Sequence, residues 1–291
     1  MTKQKHPSIL GRAILVNVCI GLWTARKHDA KVTERVNTEM AKNRKAGRYH
    51  KRLFGGDAAS HSHLVQAAQV TRTKHYAQTL PWEDSGWRLL PTENYLEYTK
   101  AMRAAKVQFE EALEVFLRDY PKLVRQAEER LGQMYKRDDY PSTSEVRGKF
   151  HFDIQFGPLP AGDDFRVTLP QKEMAAMVRG VEDRVTQAVT NAMSDAWARL
   201  GDAVTDLRSR LHDGKYLRET MVTRIGEVAD VLGRLNLTKD AALEKARKQV
   251  LKDLAGLDVD TLRDDDKVRK DAAKKADAIL ATMKGVYSPP K

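Results

Sequence analysis

Apolar and polar positions change period several times along the chain, and each change predicts an element. Ile14, Val16, Val18, Ile20 and Leu22 alternate with the residues between them and are mostly β-branched, which predicts a strand over 13–23. Thr24 stands where an N-cap belongs. From Ala25 the apolar residues Val32, Val36 and Met40 recur at intervals of four, predicting a basic amphipathic helix directly after the strand. Residues 43–56, NRKAGRYHKRLFGG, have no helical period and carry glycines at 47, 55 and 56, so they read as a mobile loop.

A helix over 57–78 follows, then LPWEDSGWRLLP at 80–91, an aromatic-bearing connector between Pro81 and Pro91. With Thr92 as cap, a long helical pattern runs through Leu96, Phe109, Leu113, Phe116, Leu117 and Tyr120, and Pro121 either kinks it or opens a second helix through Leu131. The period then returns to two. Phe150, Phe152, Ile154 and Phe156, a GPLPAGDD turn, and Phe165, Val167 and Leu169 predict a β-hairpin. After Pro170, apolar residues from Met174 to Leu211 recur at three and four over a helix roughly 60 Å long at ~1.5 Å per residue. Shorter helices near 217–235, 239–255 and 267–284 precede a VYSPPK tail that reads as frayed.

These elements predict an α+β, predominantly helical fold with an N-terminal strand, long antiparallel helices flanking a β-hairpin, and a helical C-terminus. The strand is expected to pair with the hairpin. Three regions are expected: a basic strand-helix-loop segment at 1–56, a long-helix and β-hairpin core at 57–213, and a helical C-terminal region at 214–291. The 172–212 helix carries more apolar length than one domain readily covers, and Ala188, Ala192 and Ala196 permit close approach, so a homo-oligomer is expected through it or through 95–136.

Charge changes the picture only once it is located. The formal net charge is +11 over 291 residues, yet residues 1–54 hold thirteen Lys or Arg against three acidic residues, a net of +10. The remainder is nearly neutral, so one segment carries the asymmetry and points to a polyanion. The single cysteine, Cys19, excludes an intrachain disulfide and reads as a buried, inert thiol in a reducing, cytoplasmic setting. The apolar run at 13–23 is interrupted by Asn17 and followed by basic residues, which disfavours a secretory signal, and no run reaches the ~18 to 20 apolar residues of a membrane helix.

The candidate chemistry lies in the same basic segment. Trp23, Arg26, Lys27, Lys31, Arg44, Lys45, Arg48, Tyr49, His50, Lys51, Arg52 and Phe54 interleave cations that neutralise phosphates with rings on which bases stack. No zinc-finger or RRM signature accompanies them, so weak sequence specificity is expected, on single-stranded or duplex nucleic acid. His61 and His63 point to opposite sides of a helix and, with His75, make no metal site. Absence of GxxxxGK[ST] excludes a P-loop NTPase, and GxSxG and HExxH are absent too, so no catalytic residue, cofactor or metal is expected. Trp82 and Trp87 read as a structural clasp packing the connector onto helices.

ILVNVCIGLWTARK at 14–27, LPWEDSGWRLLP at 80–91 and KFHFDIQFGPLP at 149–160 resemble, in order and spacing, an uncharacterised phage and bacterial family known as domain of unknown function 3150. The resemblance spans roughly 12–170. It implies a phage-type cytosolic protein, often encoded near a MoxR-type AAA+ ATPase and a von Willebrand A-like partner, and carries over no catalytic residue. The expectation is a non-enzymatic nucleic-acid-binding or scaffold protein. The alternative is an adaptor whose basic segment docks on an acidic face of the AAA+ ATPase.

Overall fold

The computed structural model describes residues 9–41, 43, 45–56, 58–83, 86–162, 170–213 (the Asp213 side chain excepted) and 217–287. In chain order these form β1 (Ala13–Gly21), β2 (Arg26–His28), α1 (Ala30–Met40), β3 (His50–Arg52), α2 (Ala59–Ala77), β4 (Leu80–Pro81), β5 (Arg88–Pro91), α3 (Tyr95–Leu131), α4 (Thr143–Arg147), β6 (His151–Gly157), α5 (Gln171–Asp213), α6 (Glu219–Leu235), α7 (Ala241–Asp253), α8 (Val259–Asp264) and α9 (Asp266–Thr282). The fold is α+β and predominantly helical. One sheet has the order β4-β5-β1-β6 and a second pairs β2 with β3. β1 thus adjoins the first strand of the expected hairpin and, on its other edge, pairs antiparallel with β5 in the register Ala13↔Pro91 to Val16↔Arg88. The second hairpin strand, at Phe165, Val167 and Leu169, lies outside the described residues.

Two compact units form, and their boundaries do not follow the three regions read from the sequence: one takes 1–17, 75–99 and 155–291, the other 18–74 and 100–154. The chain leaves and re-enters each unit along β1, α2, α3 and β6, which contribute residues to both. Hydrophobic period detects elements but not which distant segments share a core.

In the first unit, Ala188, Val189, Ala192, Ala196, Trp197, Leu200, Val204, Leu207 and Leu211 of α5 are buried in one core with residues of α6, α7, α8 and α9. The chain's own C-terminal helices thus remove that stripe from water from Ala188 onward, so the apolar length on which a homo-oligomer was expected is in that part covered within the chain. Arg199, outside the stripe, is not a passive surface residue: its guanidinium donates to the Ala77 and Thr79 carbonyls at 3.0 and 2.9 Å. Trp82 is buried in this core and Trp87 packs against it, so the connector is clasped as expected, though it folds as the β4–β5 hairpin. At the C-terminal end Tyr287 is docked, its hydroxyl donating to Asp202 at 2.8 Å. Its ring lies where a Cβ on Gly201 would be, 2.5 Å away, so only glycine admits it. The expected frayed tail is therefore corrected at Tyr287, and residues 288–291 lie outside the description.

The second unit has an aromatic core. Phe54, Phe109, Phe116, Tyr120, Tyr140 and Phe150 are buried together, with Phe54 meeting Phe116 and Tyr120 edge-on at 5.9 Å each. Edge-to-face pairs contribute about 0.5–1.5 kcal/mol beyond area burial. α3 runs through Pro121 as one helix, so no second helix opens there. Gly21 at the end of β1 allows the His151 ring of β6 to lie over the backbone, since a Cβ there would sit 2.1 Å from it. Cys19 is free and half-buried rather than enclosed, because β1 at that level is covered only in part.

Candidate nucleic-acid interface

The basic segment belongs to the second unit and folds differently from the expected strand-helix-loop. Thr24 does not cap a helix. The chain instead passes through Ala25, buried in the left-handed region at φ 49, whose carbonyl accepts from Leu53 N at 2.8 Å, and enters β2. The helix starts five residues later than expected, capped by Asp29, whose carboxylate accepts from Val32 N at 3.1 Å. The 43–56 stretch, read as a mobile loop, contains β3 and the two buried core residues Leu53 and Phe54. Its earlier part is tied to α1: Asn37 Nδ2 donates to Gly47 O at 3.0 Å, and Tyr49 N donates to Thr33 Oγ1 at 2.9 Å.

β2 and β3 form an antiparallel ribbon with the register Arg26↔Arg52, Lys27↔Lys51 and His28↔His50. The tripeptides RKH and HKR are mirror images, so every residue faces its own kind. Directly opposed residues share a sheet face, and successive ones alternate. One face therefore presents Arg26, Arg52, His28 and His50; the two imidazoles are 5.5 Å apart. The other directs Lys51 inward, where it is 2% exposed, 2.7 Å from the Asp139 carboxylate and 3.9 Å from that of Asp29, and donates to Met134 O.

The predicted site residues thus divide by role. Arg26, Lys27, Lys31, Lys45, Arg48 and Arg52 are exposed, and none forms an ion pair among the described residues. Tyr49 is 40% exposed. Lys51 and Phe54 are buried, the first in its ion pairs and the second, at 5% exposure, in the aromatic core. Trp23 is half-buried, its ring meeting Phe54 at 5.7 Å and Tyr120 at 6.1 Å, both edge-type. Arg44 lies outside the described residues.

Beside the ribbon opens a cleft of about 790 Å³ lined by Trp23, Thr24, Arg26, His50, Arg52, Phe54, Gly55, Gly56, His61, Ser62 and neighbouring apolar groups, with no acidic side chain in the lining among the described residues. His61 was not expected here. Its Nε2 lies 3.1 Å from the Trp23 carbonyl, which only accepts, so Nε2 carries the proton. Burial, partly offset by that hydrogen bond, pulls the His61 pKa below its ordinary value. The N-terminal turn of α2 also faces the cleft through His61 and Ser62 and holds no acidic side chain, so the helix dipole adds positive potential. The mirrored RKH and HKR strings were the signal that sequence reading passed over; nothing local marked His61. Among the described residues no three His, Cys, Asp or Glu gather as a metal site, and no helix is long and apolar enough to cross a membrane.

Comparison with protein-family models, curated proteins and solved structures returns no match for this chain, so geometry and charge carry the functional reading.

Proposed function

We propose that the ribbon and its flanks bind nucleic acid through the phosphate backbone, with weak sequence specificity and no catalysis. The observation that carries this is Arg26 opposite Arg52. Like charges directly opposed destabilise a strand pair, and here neither has an acidic neighbour to relieve it among the described residues. An anion seated on that face removes the repulsion, and a two-stranded ribbon is a shape that enters a nucleic-acid groove. Lys27, Lys31, Lys45 and Arg48 extend the positive surface around it.

The test is a salt titration. Arg26→Gln with Arg52→Gln removes two phosphate contacts and should reduce the slope of log K against log salt by about 1.4–1.8, while thermal stability holds or rises. An unchanged slope would refute the placement.

A second reading, an adaptor docking on an AAA+ ATPase, is favoured by one feature. Val36 and Met40, on the apolar face of α1, are 44% and 84% exposed. Under that reading Met40→Asp abolishes capture of the ATPase and leaves oligonucleotide affinity unchanged.

A further inference from the structure

The cleft has features that phosphate binding does not use. A ribbon that only neutralises phosphates needs no concavity and no ring, yet Arg26, His50 and Arg52 line one cleft together with Trp23 and with His61 and Ser62 of the first turn of α2. Its volume, about 790 Å³, falls within the range of small-ligand pockets. Among the described residues no ring lies parallel to the Trp23 indole, since both its ring contacts are edge-type, so stacking against it is unused. Those same contacts hold the indole still, which lowers the entropy lost when something stacks there. His61 adds one directed acceptor: with Nε2 donating to Trp23 O, Nδ1 is left with a lone pair and no partner among the described residues.

We infer that this cleft is a single-nucleotide subsite: it takes one unpaired nucleotide of a single-stranded nucleic acid, its base stacked on Trp23 and its phosphate on Arg26 and Arg52. Each part of a nucleotide meets matching chemistry: the flat ring meets a rigid indole, an exocyclic amine meets the His61 acceptor, and the phosphate meets two guanidiniums that form no ion pair among the described residues. A base in a duplex is paired and stacked already, and bringing it out breaks both interactions, so the cleft selects single strands. This rests on the nucleic-acid reading above and adds strandedness to it.

The test uses the full chain and a labelled mixed-sequence strand of about 20 nucleotides, free or annealed to its complement, in anisotropy titrations over a salt series. The single strand should bind at least about tenfold more tightly than the duplex. Trp23→Leu should lower single-strand affinity about tenfold, leaving the salt slope and the duplex affinity unchanged, and Trp23→Phe, which keeps a ring, should restore most of it. Because Trp23 also packs on the core, a second measurement uses the unaltered protein: a bromouracil-substituted single strand should photo-crosslink to Trp23. Equal affinity for both forms, with no crosslink at Trp23, overturns the subsite and leaves phosphate binding standing. No binding of either form at low salt overturns both.

Discussion

Lys51 looks like one more cation of a basic run, and replacing it should instead reveal a structural ion pair. Lys51→Met keeps most of the side-chain length and removes the charge. The substitution deletes the 2.7 Å pair with Asp139, the weaker attraction to Asp29 at 3.9 Å and the hydrogen bond to Met134 O, leaving the Asp139 carboxylate, 9% exposed, without its partner. Orphaning one member of a buried pair costs about 3–5 kcal/mol. Against a typical total of ~5–15 kcal/mol that is a large fraction, and for a unit of this size it lowers Tm by roughly 12–20 °C. Circular dichroism melts measure it. Lys51→Met with Asp139→Asn removes the orphaned charge as well and should recover at least half the loss. Oligonucleotide binding, measured below the variant's transition, should keep the salt slope of the parent protein. A Lys51→Met protein that melts at the parent temperature but binds with a reduced slope would refute the reasoning, because Lys51 would then be a phosphate contact.

Two further expectations concern the first unit. His75, whose Nδ1 lies 2.9 Å from the Tyr98 hydroxyl, is held by burial, and secondarily by the charge of Arg88, at a pKa of about 4 against an ordinary 6.5. The unfolded chain therefore takes up this proton at higher pH than the fold does. Stability should be full above pH ~6.5 and fall by about 3 kcal/mol as pH drops to ~4, a decline that His75→Gln flattens in urea titrations run across that window. Asp240 caps α7 by accepting from Ala242 N at 2.8 Å and Leu243 N at 3.2 Å, and it also takes the Trp197 indole N–H at 3.0 Å. Asp240→Ala should cost ~2–3 kcal/mol in chemical denaturation, while Asp240→Asn, which retains an acceptor, should cost less than half of that.

Local pattern was enough for most of the helices. The recurrence at three and four from Met174 to Leu211 places α5, because a buried face imposes its own period on the helix that carries it, and the alternation of β-branched residues from Ile14 to Ile20 places β1, although burial along that strand does not alternate. The concentration of charge in residues 1–54 was equally legible, since charge counts need no coordinates. What covers each face was not legible. The α5 stripe suggested a second copy of the chain, and from Ala188 onward α6, α7, α8 and α9 cover it. Periodicity says that a surface must be buried and is silent on the partner, which the long-range packing selects. The candidate site divided in the same way. Arg52 and Lys51 are adjacent cations of equal promise in a string, and the alternation of β3 sends one to solvent and the other to Asp139, 88 positions away. Trp23, Arg52 and His61 share no motif. They meet because the antiparallel pairing of RKH with HKR brings β3 back beside β1's end and delivers α2's first turn to the same cleft.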